Sequence, residues 1–308
     1  MGSLRDEESS LTGSIAWAWS ERQHSIVQQT ARLFAFPCCV IQLANVEFAP
    51  MTPYDTFARF YDIETADIVA DLPFWLSLAR RTGGPILEVA CGTGRVFVPL
   101  AEAGFDVVGV DISPAMLEVG RAKLRERNLA ERVDLILADA LDLALGQRFP
   151  LAIIALNSFG HFYQEGEPER ALDRLSEHLA PGGLLALDLP NPTPGAFGDT
   201  TGLLLHDYTR VGPEPSSQLV KLRSQSLDHI AQIIDVHCFF DEVAATGQVK
   251  RTLTSFALRY FYRNELRLLC ERSGLILEAT YGNYDLGELD EDSPRMIAVA
   301  RKPRRGTR

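Results

Sequence analysis

The sequence predicts an α/β fold: a Rossmann-like, doubly wound sheet of seven strands, with an antiparallel β subdomain inserted after strand five. Two observations predict the sheet. Ile86, Leu87, Val89 and Ala90 form the short apolar run of a parallel strand buried on both faces, and the run opens into Gly92-Thr93-Gly94, a turn that lets backbone approach a ligand closely. A second apolar run, 107–110, then delivers Asp111, 17 residues past Gly94 (111 − 94), where a carboxylate can accept both hydroxyls of a ribose. A third observation predicts the insert. Beyond residue 190 the alternation of strands and helices stops, and apolar residues recur at every second position.

Residues 1–50 differ in pattern from the rest of the chain: 3–14 is polar, 34–43 is apolar without a period, and no basic stretch leads into an apolar one as in a signal peptide. They read as an N-terminal extension, disordered or non-native to the domain, whose removal leaves folding and cofactor affinity intact. The core starts near Met51 with an opening helix that carries Tyr54 and Tyr61. After strand one, a helix over 95–103 stops at Gly104. Strand two is followed by Ser113 as a helix cap and Pro114 in the first turn, and that helix runs to about residue 127. Strand three, 133–138, closes on Asp139-Ala140, and strand four, 149–156, opens into Asn157-Ser158-Phe159-Gly160-His161. A helix over 168–179 is ended by Pro181-Gly182-Gly183, and strand five covers 184–189.

In the insert, Ile234, Val236, Cys238 and Phe240 alternate with polar positions, as do Phe256, Leu258 and Tyr260. Turn signals at Asp228-His229 and Ala245-Thr246-Gly247 divide it into three or four antiparallel strands with one covered face. A last helix, 263–273, stops at Gly274, and 275–281 with 296–300 complete the sheet as a hairpin-like pair. The expected organisation is therefore an extension (1–50), an α/β cofactor-binding core (51–190), an inserted substrate subdomain (191–262), the C-terminal part of the core (263–303) and a tail (304–308).

Composition narrows the function classes. A net charge of −11 argues against a nucleic-acid partner. No run approaches the ~18 apolar residues of a membrane span, so no membrane partner is expected. The five cysteines, Cys38, Cys39, Cys91, Cys238 and Cys270, are odd in number and lack a C-x-x-C spacing, which fits a reducing cytoplasm without disulfides or zinc. Cys91 reads as a small filler within the glycine turn rather than a nucleophile. The acidic run 288–292 lacks calcium-loop spacing, so no metal is expected. Edge strands of the insert suit a homodimer.

Which nucleoside the core binds follows from two residues. Phe97 stands where a dinucleotide fingerprint needs its third glycine. Glu88 puts negative charge beside the turn, which suits an amino group better than a pyrophosphate. With Glu88, Ala90, Gly92, Gly94 and Asp111 in this spacing, residues 54–302 resemble the class I S-adenosylmethionine-dependent methyltransferases, most specifically up to His161; Ala90 stands where that family often has a further glycine. The resemblance implies S-adenosylmethionine as cofactor. It implies that Glu88, Ala90, Cys91, Gly92, Gly94 and Arg95 cradle the methionine portion, with Asp111 on the ribose. It further implies Ile112 and Met116 against the adenine, Asp139 and Ala140 at the adenine amino group, and Asn157 on the methionine side. For Asp139 the plainer reading is a turn-forming aspartate.

His161 lies four positions past Asn157, with an ordinary pKa near 6.5 that suits proton transfer. The stretch Asn-Ser-Phe-Gly-His is similar to a loop of N-methyltransferases acting on sugar-nucleotide amines and related small molecules, which implies that His161 contacts the acceptor amine. A backbone-bonded loop histidine is the alternative. Tyr61, on the helix that folds over the cofactor in this family, is implied to bind the cofactor carboxylate or to face the sulfonium, giving it a catalytic as well as a binding role. His206, His237, Tyr260 and Tyr262 are candidates to line the acceptor cavity. Asn191-Pro192-Thr193-Pro194 reads as a turn. The expected activity is methyl transfer to a small-molecule amine. An O-methyltransferase, a non-catalytic nucleoside-binding module and a nicotinamide oxidoreductase are the alternatives.

Overall fold

The computed structural model describes residues 52–193 and 202–304. The expected extension and the end of the tail lie outside these residues. Helix α1 (Pro53–Thr65) and helix α2 (Leu72–Thr82) precede β1 (Ile86–Val89), α3 (Phe97–Glu102), β2 (Val107–Asp111), α4 (Pro114–Glu126), β3 (Val133–Leu137), β4 (Phe149–Ile154), α5 (Glu167–His178) and β5 (Leu179–Pro190). The antiparallel strands β6 (Leu205–Val211), β7 (Gln218–Asp228), β8 (Ile233–Val243) and β9 (Val249–Arg259) come next. Helix α6 (Arg263–Arg272) and strands β10 (Ile276–Tyr281) and β11 (Arg295–Arg301) complete the chain.

The large sheet has the order β10-β11-β5-β4-β1-β2-β3, and β6 to β9 form a second sheet in sequence order. Strands β1 to β5 run parallel, whereas β11 is antiparallel to both β5 and β10. Alternate residues of one strand serve opposite cores: Leu87, Val89, Val108 and Val110 join one apolar cluster, while Ile86, Val107, Leu151 and Ile153 join the other. Such two-sided burial is why the parallel strands read as unbroken apolar runs. Among the described residues no helix is long and apolar enough to cross a membrane.

Two elements differ from the sequence reading. The helix after the glycine turn starts at Phe97 rather than Arg95, because residues 91–96 are spent turning the chain. Strand β5 starts at Leu179, before Pro181-Gly182-Gly183, which do not end α5 but form an irregularity inside the strand. The pairing slips there from Phe149↔Leu179 to Leu151↔Leu184. A side chain on Gly183 would come within 2.9 Å of the Phe149 carbonyl, so only glycine fits the slip.

The insert resolves into four strands, the upper of the two numbers expected. Its covered face carries Leu219, Ile234, Val236, Cys238 and Phe240 in one buried cluster with Phe57 and Phe60 of α1. Phe240 stacks on both helix rings, at 5.3 and 5.4 Å between centroids. Helix α1 thus lies between the second sheet and the carboxyl ends of the parallel strands. Such ends, near the β1/β4 switch point, are where doubly wound sheets bind ligands.

Candidate active site

The glycine turn is built as the sequence implied, with one strained position. Gly92 and Gly94 adopt φ of +56° and +97°, and Ala90 adopts +54°. Alanine in that left-handed region costs about 1–2 kcal/mol, which explains why a glycine is the easier residue there. The Phe97 ring, fully buried, lies against Gly94: a Cβ on Gly94 would sit 2.4 Å from it. Phe97 also approaches Gly120 of α4, so its ring fills the space that a third glycine would have left for closer packing.

Glu88 is buried at the end of β1. Burial pushes its carboxyl up to about 8, against Arg95, which pulls it down; Phe97 N–H donates to it. Its Oε2 has no hydrogen-bond partner. An enclosed acceptor without a donor is costly unless a ligand supplies one. Asp111, also buried, holds the turn: Gly92 N–H donates to Oδ2 at 2.7 Å and Ser113 N–H to Oδ1 at 2.8 Å. Burial raises its pKa, and those two amides oppose the rise. Both oxygens keep a further acceptor site for ribose hydroxyls.

Helix α1 is tied across this turn at both ends. Near its start, Asp55 closes a capping box with Thr52 and accepts from Ser113 Oγ at 2.6 Å and Ala115 N at 3.2 Å. Near its end, Asp62 accepts from Thr93 Oγ1 and from Lys123 Nζ, each at 2.6 Å. Tyr54, Phe57 and Tyr61 share one face of the helix. The Tyr61 ring lies close to Gly92, 3.8 Å from where a Cβ there would stand. Burial raises the Tyr61 phenol well above its ordinary pKa, so it acts as a neutral hydroxyl.

His161 departs from expectation. It ends a short 3-10 turn, Ser158–His161, and its Nε2 lies 2.7 Å from the Tyr54 hydroxyl. The other ring nitrogen donates to the Ala257 carbonyl. That sets the tautomer: Nδ1 carries the proton, and Nε2 accepts the Tyr54 proton. Burial pushes the imidazole down to about 4, not the unperturbed value the sequence suggested. Tyr54, rather than Tyr61, is the tyrosine joined to it. Phe256 of β9 flanks both rings, at 5.8 Å from Tyr54 and 5.7 Å from His161, a neighbour that spacing did not single out.

The remaining candidates sort by surroundings. Arg95 does not face the turn freely: its fork grips Asp71 with two bonds of 2.7 Å and also donates to the Ile68 carbonyl. It neutralises the buried Asp71 and offsets Glu88. Met116 is enclosed in the α1 cluster at 1% exposure, because α1 covers the start of α4, whereas Ile112 is 52% exposed at the rim. Asp139 caps the 3-10 turn Ala140–Asp142 through Oδ1 to Leu141 N at 2.8 Å, the plainer role, with Oδ2 left over. Cys91 is buried, with its thiol raised by burial, as a filler should be. Asn157 adopts φ +61°, and its buried Oδ1 has no partner. His206 and His237 are exposed and bonded to Thr209 and Ser255; Tyr262 is exposed and Tyr260 is packed in the core. Asn191 pins its turn to the Asp290 and Ser293 carbonyls.

Residues fit the expected cofactor on three counts: an unpartnered acceptor at Glu88 for an ammonium, another at Asn157, and a paired carboxylate at Asp111 for vicinal hydroxyls. The fold is that of the class I S-adenosylmethionine-dependent methyltransferases. Residues 86–183 match the family described as the methyltransferase domain. The chain is 28% identical over 256 residues to the cypemycin N-terminal methyltransferase of a Streptomyces species, covering 80% of this chain and 95% of that protein. It is 32% identical over 131 residues to the dTDP-3-amino-3,6-dideoxy-alpha-D-glucopyranose N,N-dimethyltransferase of Streptomyces fradiae, covering 42% of this chain and 46% of that protein. The structure of the CcbJ methyltransferase from Streptomyces caelestis superposes with a TM-score of 0.70 at 28% identity, covering 82% of this chain and 98% of that one. Matches to several other curated methyltransferases span 43% to 59% of their length.

Proposed function

We propose that this chain N-methylates a small-molecule amine. The single observation that carries the reading is the state of His161: a neutral imidazole, held down to about 4 and already accepting the Tyr54 proton. A hydroxyl acceptor must lose its proton as it attacks, and a base this weak does little to remove it. A neutral amine brings its own electron pair and needs only alignment and exclusion of water. The alternative of O-methylation therefore fits the geometry less well. Amine acceptors also agree with the names of two Streptomyces relatives, the N-terminal methyltransferase and the N,N-dimethyltransferase.

The cofactor supplies a methyl group made electrophilic by its sulfonium. Glu88 accepts the ammonium of its methionine portion, Asn157 a second donor there, and Asp111 the ribose hydroxyls. Ile112 forms the rim beside the base, and Asp139 Oδ2 accepts from its exocyclic amine. Tyr61 and Gly92 close the turn around the methionine side. Tyr54 donates its proton to His161 Nε2 and keeps an oxygen lone pair for an N–H of the acceptor, which turns the amine's own lone pair away from the tyrosine and toward the methyl. Helix α1, tied down by Asp55 and Asp62, excludes water from above.

The test is a matched set of acceptors, amine and hydroxyl on one scaffold, with label transferred from S-adenosylmethionine and products identified by mass. Transfer to the amine alone is expected. Equal or faster transfer to the hydroxyl overturns the reading. Among broader rivals, binding of a nicotinamide dinucleotide in place of S-adenosylhomocysteine would do the same.

A further inference from the structure

We propose that Asp188 is a positioning residue for methyl transfer: it fixes the strained turn after β4 that carries Asn157 and His161 into the site. The proposal rests on the N-methyltransferase reading, in which these two residues face the reaction.

Asp188 lies fully buried near the carboxyl end of β5, the neighbour of β4. Its Oδ2 accepts from Leu156 N at 3.1 Å and from the Tyr284 hydroxyl at 2.9 Å. Its Oδ1 accepts from Arg295 Nε at 2.8 Å and Nη2 at 2.5 Å. Its backbone carbonyl accepts from Asn157 N at 2.8 Å. One residue thus receives two successive amides, Leu156 and Asn157.

Those are the two residues whose backbone most needs holding. Leu156 and Asn157 are consecutive left-handed residues, at φ +48° and +61°, and neither is glycine. Each such position is strained, though less so for asparagine, and persists only where surrounding bonds over-determine it. The strain turns the chain sharply out of β4. It leaves Asn157 Oδ1 buried without a partner and starts the 3-10 turn that ends at His161. The turn is packed tightly beneath β9: a Cβ on Gly160 would meet the Arg259 carbonyl at 2.9 Å and Asn157 Oδ1 at 3.0 Å. A shift at Leu156 therefore reaches both Asn157 and the His161–Tyr54 bond. The carboxylate is required because it has only acceptors. An amide in its place would turn a donor toward either Arg295 or the Leu156 N–H. Arg295 lies on β11 and Tyr284 precedes it, so the C-terminal segment braces the turn through Asp188.

A double-mutant cycle between Asp188→Asn and Asn157→Ala tests this, read as kcat at saturating substrates, acceptor KM, S-adenosylhomocysteine Kd and thermal midpoint. Misplacement by about 1 Å costs on the order of 100-fold in rate, so Asp188→Asn is expected to lower kcat by roughly 10- to 100-fold with acceptor KM little changed. In the double variant the losses are expected not to multiply, because both act through one turn. Multiplying losses, or wild-type kcat in a folded Asp188→Asn protein whose Asn157→Ala counterpart is impaired, overturns the proposal. If Asn157→Ala alone leaves both kcat and Kd unchanged, the site reading fails instead. Should Asp188→Asn not fold, Tyr284→Phe removes one bond to the same oxygen and keeps the Asp188–Arg295 pair. A severalfold loss of kcat that does not multiply with Asn157→Ala supports positioning, and an unchanged kcat refutes it.

Discussion

Replacing Glu88 with glutamine should uncouple cofactor binding from a proton. The carboxyl is buried with Oε2 unpartnered, and burial holds its pKa near 8. With a pKa of about 8, roughly 0.9 of the carboxyls carry a proton at pH 7. An incoming ammonium favours the ionised form, so binding S-adenosylhomocysteine at pH 7 should release close to one proton. Calorimetry in buffers of different ionisation enthalpy measures that number directly. Affinity should rise nearly tenfold per pH unit up to about 8, then level. In Glu88→Gln the release should vanish, the pH slope should flatten, and affinity should fall by about 10- to 150-fold, the 1.5–3 kcal/mol of a hydrogen bond to a charged group.

The same residue predicts the pH dependence of stability without ligand. Its folded pKa is raised, so its contribution is intact below about 4.5 and is lost as pH rises through about 8. The full shift sets an upper bound of ~5 kcal/mol on that loss. Urea unfolding of the free protein at pH 5 and pH 9 should show the wild type losing stability while Glu88→Gln changes less. A wild-type binding isotherm independent of buffer, together with unaltered affinity in the variant, would refute the assignment of Glu88 to the ammonium.

Three further outcomes are expected. Gly94→Ala should destabilise before any ligand is added, because its Cβ meets the Phe97 ring at 2.4 Å and the backbone is left-handed; wild-type stability in urea would contradict this. Ala90→Gly should stabilise by ~0.5–1 kcal/mol, the relief at φ +54° less the entropy of glycine, and a lower urea midpoint would count against it. His161→Ala should reduce kcat with cofactor affinity near wild type, and the wild-type rate should show no ionisation of His161 near neutral pH because its own value lies near 4. A rate limb between pH 6 and 7 that disappears in the variant would restore it as an ordinary base.

The glycine turn and the acid after β2 were legible because their signals are local. A parallel strand, a glycine turn and an acid at the end of the next strand are consecutive in the chain, and the backbone rules behind them do not depend on distant residues. Glu88, Gly92, Gly94 and Asp111 therefore stand where spacing put them, and the alternation at Ile234, Val236, Cys238 and Phe240 foretold the covered face of the second sheet.

What composition and spacing did not contain was which distant groups meet. Tyr54 reaches His161 across 107 positions, Arg295 reaches Asp188 across 107, and Arg95 is gripped by Asp71. The ordinary imidazole pKa expected from the sequence failed for the same reason: it is set by how much water the folded chain removes, not by the residue's neighbours in sequence. Sequence by itself determined the fold class, the glycine turn and the acid at the end of β2, since these depend on local conformation and burial period. Only the tertiary structure decided the protonation of Glu88 and His161, the partner of Tyr54 and the brace at Asp188, because desolvation and hydrogen bonding exist only once the strands and α1 are packed together.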